Sequence, residues 1–340
     1  MNIDLICNDG SPLGIQRTDI HGENGRIGLG GAELALMTLC DGWHESGHHV
    51  RLYNNPKNTV GQTFAQLPLD SFEPNDNRDI LIIFRSPNIR SYNAKGLKVW
   101  WSCDQYTVGS YKDFSKTVDK IVTISPFHAN YFRETYEIDN TITIDLPVRT
   151  WEYEPIEKVK NRLIFCSVPE RGLGVLAKIY DVLLEKIPNI SLAITSDYRL
   201  WGMPTGMNEH YIAKFLGKSG VRFLGAIPRG ELIKEQLQAQ ILAYPCTYDE
   251  LFCYAVAECS VAGAYPITPP IGALSTTNMG TLLDGNPEDM NWQKQFVDEI
   301  ENKLTNQDEL ENRSHRLQSR SIKRFSLDRV LNEWERVFNE

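Results

Sequence analysis

"AQILAYPCTYDELFCYAVAECSVAGAYPIT", residues 239–268, decides how the chain folds. Residues 239–245 read as a buried strand, 252–262 as a helix and 264–269 as a second strand. A strand, a helix and a strand in so short a span form a crossover unit, and such units build parallel sheets covered by helices. Within the segment Glu250 and Glu258 bracket an apolar run. Two readings of these carboxylates are open: the wet ends of an ordinary core helix, or contacts to a polar ligand lying along it.

Outward from this unit the same rhythm repeats. Strand patterns fall at 3–7, 48–54, 79–84, 97–102, 120–125 and 141–147, with helical patterns at 31–46 and 126–137. Ser125-Pro126 marks the start of the second helix, because serine caps it and proline suits its first turn. A polar, charged stretch at 150–161 reads as a linker. Strands then recur at 162–167, 190–195 and 221–225, with helices at 173–187, 208–218 and 229–238. The final segment, 321–340, is a long amphipathic helix with a break near Phe325-Ser326. The expected fold is α/β: two facing Rossmann-like domains with parallel sheets. Open parallel sheets bind ligands beyond the carboxyl ends of their strands, and two such domains would form a cleft that shields a two-substrate reaction from water.

The totals agree with that division. A chain of 340 residues exceeds one typical core. With 41% hydrophobic and 23% charged residues it is a globular chain, not a disordered one. The formal charge of −9 argues against a nucleic-acid partner, which needs a basic stripe to meet phosphates. The 7 cysteines are odd in number, form no C-x-x-C pair and sit mostly in apolar runs, so they read as reduced thiols of a cytoplasmic protein. No signal-peptide pattern and no spanning apolar run is recognised.

Three segments carry candidate chemistry. "GRIGLGGAELALM" (25–37) is glycine-rich and opens a helix, so its amides can approach an anion or polar group; as a dinucleotide fingerprint it fails, with Glu33 where the third glycine belongs. A flexible turn is its plainer reading. "FCSVPERGLG" (165–174) places Arg171 in a turn directly after a strand, where a guanidinium can fork to a phosphate; a solvated loop arginine is the alternative. In the opening segment, a helix from Phe252 would present its free amides beyond the sheet edge. Eight helical residues turn through ~800°, leaving Glu250 and Glu258 about 80° and roughly 12 Å apart, the span of a nucleotide-sugar from ribose to hexose. Glu258 lies among "AVAECSVAG", where an unpartnered carboxylate is costly.

Gly-Gly-Ala-Glu at 30–33, Pro-Glu-Arg-Gly-Leu at 169–173 and Glu-x7-Glu at 250–258 resemble, in order and spacing, the retaining family 4 glycosyltransferases of the GT-B fold. "VRFLG" (221–225) and "AGAYPIT" (262–268) are similar to that family too. The resemblance implies an N-terminal acceptor-side domain over 1–152, a C-terminal nucleotide-sugar-binding domain over 153–323, and a helix over 324–340 packing back on the first domain. It implies a metal-independent hexosyltransferase (EC 2.4 class). No cofactor is expected; a UDP- or GDP-hexose is the co-substrate and a carbohydrate, glycolipid or small-molecule hydroxyl the acceptor. Glu250 would contact hexose hydroxyls near the reacting carbon, Glu258 the ribose, and Arg171 the diphosphate. Amides around Phe252, Cys253 and Tyr254 would meet phosphate or sugar, and Gly30 and Gly31 would close over the donor. The absence of D-x-D agrees with the lack of a metal.

Three positions depart from the family. A second basic residue before Arg171 is replaced by "FCSV", an acceptor-side histidine by Cys103 and Asp104, and an Asn-Gly by "LPVR" (146–149), which directs attention to Arg149. Asp104 is the candidate to position the acceptor hydroxyl, with a solvated or capping aspartate as the alternative. The rival functions are a non-catalytic sugar-nucleotide-binding protein and another GT-B enzyme, such as an epimerase or phosphorylase. His44, His48 and His49 read as a helix end rather than a metal site, and His128 as a helix-face residue. One of Trp100 and Trp101 is expected to be buried and the other free to turn toward a sugar. Arg313, Arg316, Arg320, Lys323 and Arg324 read as a solvated helical face, with peripheral contact to a membrane as the alternative.

Overall fold

The computed structural model describes every residue except 9, 23–27, 59–61, 202 and 340, and for 201 and 205 the backbone alone. The chain forms two compact units. Met1–Gly25, Leu29–Pro147 and Phe325–Glu340 make the first; Arg26–Gly28 and Val148–Arg324 make the second.

The first unit holds strands β1 (Asn2–Ile6), β2 (His49–Tyr53), β3 (Ala65–Leu67), β4 (Ile80–Phe84), β5 (Leu97–Trp101), β6 (Lys120–Thr123) and β7 (Thr141–Thr143). They form one parallel sheet in the order β3-β2-β1-β4-β5-β6-β7. Its helices are α1 (Gly31–Glu45), α2 (Tyr111–Phe114) and α3 (Pro126–Tyr136). All five residues of β4 are buried, as expected of a central strand covered on both faces. Ser125 caps α3 by accepting from the His128 amide, with Pro126 at the first helical position.

The second unit repeats the plan with β8 (Arg162–Phe165), β9 (Ser191–Ile194), β10 (Val221–Phe223), β11 (Ile241–Ala243), β12 (Tyr265–Thr268) and β13 (Thr281–Leu282). Their order is β10-β9-β8-β11-β12-β13, again all parallel. The helices are α4 (Leu173–Lys186), α5 (Glu209–Phe215), α6 (Arg229–Gln238), α7 (Tyr254–Val261), α8 (Leu274–Thr277), α9 (Met290–Thr305) and α10 (Gln307–Phe325). The charged stretch after residue 150 is well anchored. The Lys158 ammonium donates to the carbonyls of Leu237 (3.0 Å), Ala239 (2.8 Å) and Ala262 (3.2 Å), at the ends of α6 and α7. Burial there pushes its pKa down to about 8.

After a break at Ser326 the last helix, α11 (Leu327–Asn339), belongs to the first unit. Trp334 packs edge-on against Trp43 (5.5 Å) and Trp101 (5.4 Å), and Arg329 pairs with Asp145 at 3.1 Å. This helix corrects the expectation for the tryptophan pair. Trp100 packs on Tyr111 and Phe114 while Trp101 packs on Phe84 and Trp334, so both are buried and neither turns toward a sugar. Six elements carry no expectation above: β3, β13, α2 and α8 are too short for a period to register, and α9 and most of α10 are polar enough to read as surface. No helix among the described residues is long and apolar enough to cross a membrane.

Candidate functional site

In each sheet the strand order reverses once, between β1 and β4 in the first and between β8 and β11 in the second. Chains leaving two such strands part in opposite directions and open a crevice beyond their carboxyl ends, where ligands of open parallel sheets bind. Charged residues gather at both switch points.

In the second unit Arg171 follows β8 and Glu250 follows β11. Arg171 Nη1 donates to both Glu250 oxygens, at 3.0 and 2.9 Å, and the guanidinium lies 4.3 Å over the Tyr248 ring. Burial works against the charge of Arg171, but the Glu250 carboxylate outweighs it and raises the pKa above the ordinary arginine value. The Tyr244 hydroxyl donates to Glu250 Oε1 at 2.6 Å. The backbone of Glu250 is held too, since its carbonyl accepts from the Ala273 amide at 2.7 Å.

Two glycines allow this closeness. Gly172, at φ +113°, sits where a Cβ would lie 2.1 Å from the Pro245 carbonyl oxygen. Gly272, at φ +56°, would place one 2.5 Å from the Glu250 carbonyl oxygen. A side chain at Gly172 would push the Arg171 and Glu250 loops apart, and one at Gly272 would displace the Glu250 backbone.

Helix α7 starts at Tyr254, two residues later than the sequence suggests, because its N-cap Cys253 takes a left-handed conformation (φ 67°, ψ 77°). Glu250 is therefore in a loop, and the helical rotation invoked between it and Glu258 does not apply. Of the three expected amides only that of Tyr254 is in the helix's first turn; Phe252 and Cys253 precede it and are buried.

Glu258, on α7, is buried and partnered. Its Oε1 accepts from Arg229 Nη1 at 2.8 Å and its Oε2 from Gln236 at 3.2 Å, both on α6. Arg229 continues to Glu152 and Glu152 to Arg149, each at 2.5 Å, so two cations and two anions alternate. Burial favours protonation of Glu152, but the Arg229 and Arg149 guanidiniums hold its pKa below the usual carboxylate value. These pairs tie 149–152 to the second unit, and Arg149 is spent in them and over the Trp151 ring at 4.8 Å.

In the first unit Gly30 is the N-cap of α1 and Gly31 its first residue; residues 25–27 of the glycine-rich segment lie outside the described residues. Sequence reasoning missed the residue that organises this end of the sheet. Arg85, in the left-handed region at φ +68°, follows β4 and donates to Asp104, to Ser11 and to Glu33, the last at 3.1 Å. A charged residue directly after the all-apolar "ILIIF" is the one signal that could have found it. Asp104 follows β5, and its backbone carbonyl lies 3.2 Å from His128 Nε2. His128 is buried, which drives its pKa down to about 3, so the ring is neutral and structural. His48 pairs with Glu335 at 2.8 Å. All seven cysteines are free, and Cys166 and Cys259 approach to 3.4 Å between sulfurs.

Two Rossmann-like domains, each built on a parallel sheet, define a GT-B fold, and comparison with solved structures bears that out over the whole chain. The structure of Anabaena HepE in complex with UDP and glucose aligns with a TM-score of 0.72 at 13% identity, covering 100% of both chains. A glycosyltransferase from Rickettsia africae aligns at 0.74 and 15% identity, covering 99% of this chain and 97% of that one. The sucrose-phosphate synthase of Thermosynechococcus elongatus aligns at 0.73 and 14%, covering 100% and 98%. No protein-family model and no curated protein matches the sequence.

Proposed function

We propose that the chain is a retaining, metal-independent hexosyltransferase acting from a nucleoside diphosphate sugar on an acceptor hydroxyl. The observation that carries this reading is the Arg171–Glu250 pair at the switch point of the second sheet. It supplies a fixed cation for a diphosphate beside a carboxylate for sugar hydroxyls. Glu258 is the candidate ribose contact; each of its oxygens keeps a lone pair beyond the one given to α6. The first turn of α7, at Tyr254, adds the positive end of a helix. Phe252 and Cys253 contribute through their backbone, and Gly30 and Gly31 through the approach they allow at α1. Among GDP and UDP donors we favour UDP, because HepE of the same fold is known in complex with UDP-glucose.

In the proposed reaction the bond between the anomeric carbon and the diphosphate oxygen breaks, and Arg171 takes up the charge that develops on that oxygen. The acceptor oxygen bonds to the anomeric carbon from the same face, and its proton passes to the departing phosphate. Asp104, oriented by Arg85, would hold the acceptor hydroxyl.

A panel of UDP- and GDP-sugars tested by thermal shift and by proton NMR of the products addresses the reading. Stabilisation by one nucleotide family, with transfer or slow hydrolysis giving the donor's anomeric configuration, is the expected outcome. Inverted product removes the retaining assignment. Binding without turnover across a broad acceptor panel favours a sugar-nucleotide-binding protein, and no nucleotide response refutes the donor site.

A further inference from the structure

The second unit has a second concave surface, made by other residues. A groove of about 690 Å³ runs beside α10, floored by Tyr265, Met279 and Leu317 and walled by Arg313, Arg316 and Arg320. That volume is in the range of small-molecule sites. The three arginines are spaced i, i+3 and i+7, which puts them within about 60° of arc and spreads them over about 10 Å of helix. The sequence reading left them as a solvated face, but the groove makes that face concave and gives it an apolar floor.

Their partners separate the three. Arg313 pairs with Glu309 at 2.6 Å, one turn earlier on the same helix. Arg316 and Arg320 have no hydrogen-bond or ion-pair partner among the described residues, although both line the groove. Asn312 adds an amide at the rim. Two unneutralised guanidiniums one helical turn apart, about 6 Å along the axis, suit the oxygens of one phosphate or of two linked phosphates. They stand out on a chain whose formal charge is −9. The floor offers a place for an organic moiety: Tyr265 is fixed by Thr281 at 3.4 Å and by the Lys303 ammonium 5.7 Å from its ring centroid.

We propose that this groove is a binding site for a phosphorylated ligand, with Arg316 and Arg320 gripping the phosphate and Tyr265, Met279 and Leu317 seating the group it is attached to. The site is separate from the Arg171–Glu250 site and does not depend on the glycosyltransferase reading. Phosphate chemistry of this kind comes from a soluble phosphoester or from a lipid headgroup.

Calorimetric titration of the full chain with pyrophosphate, and sedimentation with vesicles containing about a third anionic phospholipid against neutral vesicles, would distinguish the sources. The variants are Arg316→Gln/Arg320→Gln and, as control for the other site, Arg171→Ala. Binding that survives Arg171→Ala and weakens at least tenfold in the double variant is expected, and it falls with salt. Pyrophosphate binding without vesicle binding assigns a soluble ligand; vesicle binding lost in the double variant assigns a headgroup. The arginines are exposed and unpaired, so the double variant should unfold at the wild-type temperature. No binding in either arm, or binding that the double variant leaves unchanged, overturns the proposal.

Discussion

At the first unit's switch point one cation, Arg85, is shared between two carboxylates, Glu33 and Asp104. At the second, Arg171 is matched to Glu250, and the neighbouring chain alternates Arg149, Glu152, Arg229 and Glu258. The first cluster thus carries a formal net charge of −1, the second none, and the second also has the start of α7 beside it. On the proposed reading a diphosphate would be repelled by the first arrangement and accepted by the second, whereas surplus carboxylate oxygens would suit a neutral ligand's hydroxyls. One topology, filled with two charge patterns, would then give two kinds of site. This physical difference is the basis for assigning donor chemistry to the second unit and acceptor chemistry to the first.

The most damaging way to break the comparison is to unbalance the second unit's charge chain. Arg229→Met leaves the buried Glu258 without its cation and Glu152 with Arg149 alone, and a loss of about 3–5 kcal/mol is expected in chemical denaturation. Adding Glu258→Gln in the same chain should recover part of it. Next comes Gly172→Ala, which forces the Arg171 and Glu250 loops apart; a loss of about 2–3 kcal/mol together with loss of nucleotide binding is expected. Stability retained with binding intact would show that the close approach is unnecessary. Arg85→Gln sharpens the comparison from the other side. It should lower transfer to an acceptor about tenfold or more while changing nucleotide affinity by less than about twofold.

A pH dependence is also expected in the first unit. The folded-state pKa of His128 is about 3, against about 6.5 when unfolded. The unfolded chain therefore binds the extra proton between those values. The contribution of His128 is complete above pH 6.5 and falls as the pH drops toward 3, by about 1.4 kcal/mol per unit at most. Denaturation midpoints of the wild type and His128→Gln across pH 4–7 should converge at the acid end; parallel curves would contradict a buried neutral ring.

The same comparison explains what the sequence could reveal. Strands such as "ILIIF", and the helix start at Ser125-Pro126, are local signals, so the two parallel sheets were legible. In the second unit Arg171 and Glu250 each follow a recognisable strand, and both are at the switch point. Their direct pairing was not legible, because it depends on the backbone contacts of Gly172 and Gly272. Nor was the helix start at Tyr254, since no residue type announces that Cys253 will turn left-handed. The partners of Glu258 lie on α6, more than twenty residues away in sequence, and only packing reveals them. In the first unit Asp104 was singled out but Arg85 was not, because its partners come from the loops after β1 and β5 and from helix α1.

The central claim is that the second unit's switch point, not the first's, binds a nucleoside diphosphate. Calorimetric titration of UDP into wild type, Arg171→Ala and Arg85→Gln tests it directly. The account predicts one site on the wild type, affinity lowered roughly tenfold to a hundredfold by Arg171→Ala, and near-unchanged affinity in Arg85→Gln. Full affinity in Arg171→Ala, or a loss confined to Arg85→Gln, would contradict it.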